Sequence, residues 1–132
     1  VDVITDYAHH PTEIKCLYQN LQLKYNNIYL IFQPHTYSRT KLLIKEFVQL
    51  FKNIPNFIIF KEYKSRENKY MGYSAKQLSE NVESSIYIKN YSQLKKILIE
   101  NNFLPNSCIA FIGAGDINEI ANKIINDLGE RI

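Results

Sequence analysis

Three short segments of the sequence carry side chains able to do chemistry. The first is Asp6-Tyr7-Ala8-His9-His10-Pro11, followed by Thr12-Glu13-Ile14. An acid and two imidazoles here can exchange protons near neutral pH, and Pro11 suits the first position of a helix, where its missing N–H costs nothing. A helix start offers free amides and the positive end of the helix dipole, so the segment is fitted to meet a phosphate or a carboxylate. The plainer reading is that Asp6 and one histidine cap the helix and bond the loop backbone. A zinc site is a third alternative, with His9, His10, Asp6 and His35 converging from two segments. Against it, adjacent histidines point apart on most backbones, and no H-E-x-x-H pattern or cysteine partner accompanies them.

The second segment is Phe32-Gln33-Pro34-His35-Thr36-Tyr37-Ser38-Arg39-Thr40. Arg39 falls near the first turn of a helix, where a cation is unfavourable without an anionic partner. Its guanidinium can hold a carboxylate or phosphate through two parallel hydrogen bonds, which a lysine cannot reproduce. A surface pairing with Glu46 is the alternative. The third segment, Gly113-Ala114-Gly115-Asp116, reads as a sharp turn into a helix. The chain has only 4 glycines, so neither a complete G-x-G-x-x-G fingerprint nor a G-x-x-x-x-G-K-[ST] phosphate loop can be written. No complete catalytic set stands on this chain, and the isolated chain is expected to be inactive, with no nucleotide hydrolase complete within it.

The elements that must position these segments are legible in the apolar pattern. Short β-branched or aromatic runs, Val1 to Thr5, Ile28 to Gln33, Phe57 to Phe60, Ile86 to Ile88 and Cys108 to Ile112, alternate with helical spacing. Ile14, Leu17, Tyr18 and Leu21 share one helical face, and Leu43, Phe47, Leu50, Phe51 and Ile54 share another. Further helices are expected over Ser74 to Val82, over Ser92 to Glu100, and along the stripe Ile117, Ile120, Ala121, Ile124 and Leu128, with Gly129 as a left-handed terminus. Strands and helices in strict alternation predict an α/β fold: an open, mostly parallel, doubly wound (Rossmann-like) sheet with helices on both faces. In such sheets ligands sit beyond the carboxyl ends of the strands, which is where all three segments fall. The long irregular stretch Lys61 to Tyr73 is expected to be a functional or interdomain loop.

Composition narrows the class. At 132 residues, 45% hydrophobic and 22% charged, the chain is a single domain with a real core, not a disordered tail or a disulfide scaffold. No apolar run reaches the roughly 18 residues of a membrane span. A net charge of +3 with basic and acidic residues interspersed does not indicate nucleic acid. Cys16 and Cys108 are expected to be two buried thiols in a reducing, cytoplasmic setting. Val1 opens the chain in mid-strand and Met71 is its 1 methionine, as expected of a piece cut from a longer polypeptide.

DYAHHPTEI, FQPHTYSRT and GAGDI, in this order and each after a strand, resemble the C-terminal domain of the Mur ligases, over essentially the whole chain. Within that family the second motif points to the members that join L-alanine to UDP-N-acetylmuramate, not to those that reattach recycled tripeptide. The resemblance implies a three-domain, ATP-dependent ligase of peptidoglycan synthesis. Its N-terminal domain would bind the UDP-sugar, and its central domain the ATP and Mg2+. An acyl phosphate forms and the amino group of L-alanine displaces the phosphate, while the C-terminal domain closes over the site, holding no tightly bound cofactor or metal of its own. It further implies that Asp6 faces the ATP ribose, that Tyr7 and His9 face the nucleotide and phosphate region, that His35 and Arg39 face the alanine or the acyl phosphate, and that His10 orients its loop. Many members carry an arginine where Thr36 stands, so Arg39 would bear more of the carboxylate binding here. Glu62 to Glu67 resembles a Y-x-A-R-E stretch of the family, with an interdomain contact as its only expected role. A self-sufficient small-anion or metal-binding α/β module is the competing class.

Overall fold

In the computed structural model, which describes residues 1–68 and 72–129, all strands are parallel and lie in one five-stranded sheet. The chain runs β1 (Asp2–Asp6), α1 (Pro11–Gln22), β2 (Asn27–Phe32), α2 (Tyr37–Leu42), α3 (Ile44–Phe51), β3 (Phe57–Phe60), α4 (Ala75–Glu80), β4 (Ser85–Ile88), α5 (Tyr91–Glu100), β5 (Ser107–Ile112) and α6 (Ile117–Leu128). The spatial order β1-β5-β2-β3-β4 places the last strand between the first two.

Alternation along the strands sends side chains into two separate cores. Leu30, Phe32, Phe57, Ile59 and Ala110 meet α1, α3 and α4 on one face. Ile31, Ile58, Phe60, Ile109 and Phe111 meet α5 and α6 on the other. The helices that follow β1, β2 and β3 thus cover one face, and those that follow β4 and β5 cover the other. Between β1 and β2 the connection from β5 turns the opposite way from both neighbours, which opens a crevice at the carboxyl edge of the sheet.

Strand and helix positions agree with the periodicity, with three corrections. The second helical stretch begins earlier than its apolar face, at Tyr37, and is broken at Leu43 (φ −105°, ψ 15°) into α2 and α3. No proline or glycine marks the break, and Leu42 is exposed while Leu43 packs against the core. Gly129 is right-handed (φ −48°, ψ −37°), because its N–H still donates to Ile125 and the helical bonding continues through it. Cys16 is exposed and only Cys108 is buried, where burial pushes its thiol up to about 11. Cys16 sits beside the stripe of α1 that carries Ile14 and Leu21 rather than on it. No helix among the described residues is long and apolar enough to cross a membrane.

Candidate functional site

The first segment is closed by its own residues. Asp6 Oδ1 accepts from Ala8 N at 2.8 Å, folding the chain just past β1 and burying the Ala8 side chain. The N-cap of α1 is His10, not Asp6: its Nδ1 accepts from Thr12 N at 3.1 Å, and Glu13 Oε1 returns the bond by accepting from His10 N at 3.1 Å. This reciprocal capping box leaves Pro11 at the first helical position, as its geometry requires. Accepting through Nδ1 puts the His10 proton on Nε2. His9 carries a proton on Nδ1, which donates to Tyr7 O at 3.1 Å; the same nitrogen is 3.7 Å from Glu13 Oε1. The amide of His10 holds the Glu13 carboxyl below its ordinary range. Tyr7 projects outward, 69% exposed.

The second segment is tied down from elsewhere. Gln33, 3% exposed at the end of an otherwise apolar strand, sends Nε2 to Asp116 Oδ1 at 2.6 Å and to Lys61 O at 3.2 Å, while its Oε1 accepts from Ile117 N at 3.1 Å. One amide therefore joins the ends of β2 and β3 to the start of α6. Gly113 N donates to Asp6 O at 3.1 Å and Gln33 N to Ile112 O at 2.9 Å, which brings the ends of β1 and β5 into the same assembly. Gly113 has φ 154°, and a Cβ there would stand 2.8 Å from Gln33 O, so this turn requires glycine.

Thr36 is the N-cap of α2 and holds φ 65°, ψ 154°, a conformation almost reserved for glycine. One long-range and one local bond hold it there: Thr36 N donates to Tyr63 O at 2.8 Å, and Thr40 Oγ1 to Thr36 O at 2.9 Å. The anion at the start of α2 is an internal one. Glu67 Oε1 accepts from Tyr37 N at 2.8 Å and Ser38 N at 2.9 Å, and the Ser38 hydroxyl donates to its other oxygen. Those bonds, that of the Ser38 hydroxyl foremost, hold the Glu67 carboxyl below its ordinary range. Beside them Tyr37 is buried, which together with its bond to Glu62 pushes its phenol up to about 12.

Arg39 does not pair with Glu46. Its Nη1 lies 3.2 Å from His35 Nδ1. A guanidinium has only donors, so His35 accepts at Nδ1, is neutral, and carries its proton on Nε2. Burial chiefly, then Arg39 and His9, hold the His35 imidazole below its ordinary range. The His9 and His35 rings are 6.3 Å apart between centroids, so the two segments converge at the crevice. The zinc grouping does not assemble: Asp6 and His10 are engaged with their own loop, and no three His, Cys, Asp or Glu among the described residues could hold a metal ion.

The expected loop Lys61 to Tyr73, apart from residues 69–71, which lie outside the described residues, wraps the second segment. Glu62 accepts from Ala75 N at 3.2 Å, and Tyr73 N donates to Tyr37 O at 3.0 Å. A Cβ on Gly72 would fall 1.9 Å from that same oxygen. Sequence reasoning gave Tyr63, Glu67 and Gln33 no part in the site. Only Gln33 left a local signal, a polar residue closing the apolar run IYLIF. A cleft of 760 Å³ between α1 and α3 touches the first segment only at His10 to Thr12, so of the candidate site residues His10 alone lines it.

An all-parallel sheet with two histidine-bearing loops meeting beyond its carboxyl edge defines a doubly wound α/β domain, and its family is settled by sequence. The family model described as "Mur ligase, glutamate ligase domain" matches residues 1–115, and the chain belongs to that family. The UDP-N-acetylmuramate–L-alanine ligase of Lachnospira eligens is 36% identical over 130 residues, covering 95% of this chain and 28% of that protein. The enzyme of the same name from Hydrogenobaculum is 40% identical over 125 residues, covering 92% of this chain and 27% of that protein. This chain therefore spans little more than a quarter of the length of the curated relatives it matches. The crystal structure of UDP-N-acetylmuramate–alanine ligase from Thermotoga maritima aligns with a TM-score of 0.65 at 24% identity, covering 96% of this chain and 27% of that one. A murein peptide ligase from Psychrobacter arcticus aligns at 0.68 and 15% identity, covering 99% and 28% respectively. At those identities the structural likeness speaks to fold.

Proposed function

We propose that this chain is the C-terminal, substrate-binding and closing domain of an ATP-dependent ligase that joins L-alanine to UDP-N-acetylmuramate through an acyl phosphate. The relatives of that name support the reading. The observation that carries it is the Arg39 to His35 contact of 3.2 Å, in which the guanidinium meets a neutral imidazole and, among the described residues, forms no ion pair with an acid.

In this reading Arg39 grips the carboxylate of the incoming amino acid, or the acyl phosphate, through two parallel bonds. Neutral His35 takes one donor of the guanidinium and offers its own Nε2 proton to the same anion. The first segment faces the nucleotide: Asp6 the ribose, Tyr7 and His9 the base and phosphate region, with His10 fixing the loop by capping α1. Thr36, placed by its backbone, shapes the loop, and the carboxylate charge falls to Arg39. Mg2+ would be held by the rest of the enzyme, together with most of ATP and the UDP-sugar. Those co-substrates place the reaction in the cytoplasm.

Arg39→Lys in the full-length enzyme, with ATP and UDP-sugar saturating, tests the assignment. Lysine keeps the charge and loses the fork, so kcat/KM for L-alanine should fall about tenfold or more. The melting temperature should stay nearly unchanged, since Arg39 lies off both cores. Earlier melting with normal kinetics would make Arg39 a structural residue and end the reading.

A further inference from the structure

His35 sits in a loop whose shape is imposed from outside and Arg39 in the first turn of the helix that follows it, and one residue of the β3–α4 segment touches that loop on backbone and side chain alike. Tyr63 N donates to Pro34 O at 2.9 Å and Thr36 N donates to Tyr63 O at 2.8 Å, so Tyr63 brackets His35 in a short parallel bridge. Its ring lies on the imidazole, with centroids 5.6 Å apart and planes inclined by 14°. The base of the same side chain is pressed against the third motif. A Cβ on Gly115 would stand 2.4 Å from Tyr63 Cβ and 2.5 Å from its Cγ. Gly115 cannot retreat, because the same Cβ would also come within 2.8 Å of Gln33 Oε1, and that amide is fixed by its bonds to Asp116, Ile117 and Lys61. Tyr63 is therefore wedged between an unyielding glycine turn and the imidazole.

We infer that Tyr63 is a positioning residue: held against Gly115, it sets the plane of the His35 imidazole and, through the Nδ1 to Nη1 contact, the direction in which Arg39 presents its guanidinium. The stacking and the wedge belong to the fold, while the consequence for amino-acid binding rests on the function proposed above. An imidazole free to rotate about its own axis turns Nδ1 away from Arg39. The guanidinium then loses the contact that aims it, and a carboxylate needing two parallel bonds loses its geometry before the enzyme loses its charge. The ring of Tyr63 does this work, not its hydroxyl, so phenylalanine should suffice. The third motif then has a use besides turning the chain, since Gly115 is what lets the wedge seat.

Two measurements test it. In the chain itself, NMR titration of His35 reads the wedge directly. Tyr63 is one of the groups covering the imidazole, and His9, Arg39 and Glu67 are the charged or titratable ones acting on it. Tyr63→Ala should move the His35 titration up toward the ordinary histidine range, Tyr63→Phe should leave it in place, and Gly115→Ala, which unseats the ring, should mimic Tyr63→Ala. In the full-length enzyme Tyr63→Ala should raise KM for L-alanine on the order of tenfold with a smaller change in kcat, and Tyr63→Phe should restore it. If Tyr63→Ala fails to fold, Tyr63→Leu, which fills the space without offering a plane, should raise KM for L-alanine in the same way, and the titration is then read in Gly115→Ala. An unmoved His35 titration, or an unmoved KM beside a moved titration, overturns the inference. Absence of L-alanine-dependent turnover in the unsubstituted full-length enzyme would instead defeat the proposed function, and the titration would still decide the wedge.

Discussion

The side-chain hydrogen bonds that shape the loop after β1 span two or three residues: Asp6 to Ala8, His9 to Tyr7, His10 to Thr12, Glu13 to His10. After β2 the corresponding bonds reach Glu67, some thirty residues away, and Asp116 and Ile117, more than eighty away. Both loops carry histidines to the same crevice, yet one is a self-closing turn and the other is clamped by distant segments. A self-closed loop can keep its bonds while its exposed side chains adapt to a ligand. A clamped loop delivers its groups already oriented and passes any disturbance of the clamp into the site. In the function proposed above, the adaptable loop would meet ATP and the pre-oriented one would read a small carboxylate.

Three substitutions sharpen the contrast, the largest effect first. Gly72→Ala would drive a Cβ to within 1.9 Å of the Tyr37 carbonyl, and backbone cannot swing aside as a flexible side chain can. A loss of about 2–3 kcal/mol is expected, read as a lower denaturation midpoint with the first loop's amide resonances left in place. If those resonances move as much as the second loop's, the two loops are not independent.

Glu67→Gln comes next, measured as melting temperature against pH. The Glu67 carboxyl is held low in the folded state, chiefly by the Ser38 hydroxyl and amide and then by the Tyr37 amide. A depressed folded value means its stabilisation is complete above the ordinary carboxylate range and fades as pH falls through it, below about pH 4–5. The parent should therefore lose stability over that window more steeply than the variant, and equal acid slopes would remove Glu67 from the clamp.

His10→Ala has the smallest effect. It removes one side-chain cap, worth about 1 kcal/mol, and should leave the His35 titration untouched. A shift at His35 would show that the first loop is coupled to the second after all.

The same division explains what could be read before the fold was known. Strands and helices announced themselves through periodicity, and Pro11 marked the start of α1 because helix starts obey local rules. Even there the capping role fell to His10 rather than Asp6, since the two differ only in how the loop backbone turns. The clamp left no trace of that kind. Nothing near Glu67 says that its carboxylate caps a helix begun thirty residues earlier, and nothing near Gly72 says that a carbonyl lies against it. Cys16 misled because burial was assigned to the segment and not to the face. The break at Leu43 was invisible because no proline or glycine causes it.

The strand order has a consequence for how the molecule comes together. β1 never touches β2, because β5, the last strand made, fills the slot between them, pairing Asp2 with Cys108 on one side and Ile28 with the same Cys108 on the other. Contacts that join the two ends of a chain are slow to form, because the intervening loop must be closed first. The β2-β3-β4 half, whose pairings are sequential, can zip up early, but the clamp on its loop stays open on the side of Gly115, Asp116 and Ile117 until the end of the chain is in place. The loop after β1 has no berth until β5 arrives. During synthesis both loops therefore wait for the end of the chain, and the two halves of the crevice come into being as a single late event.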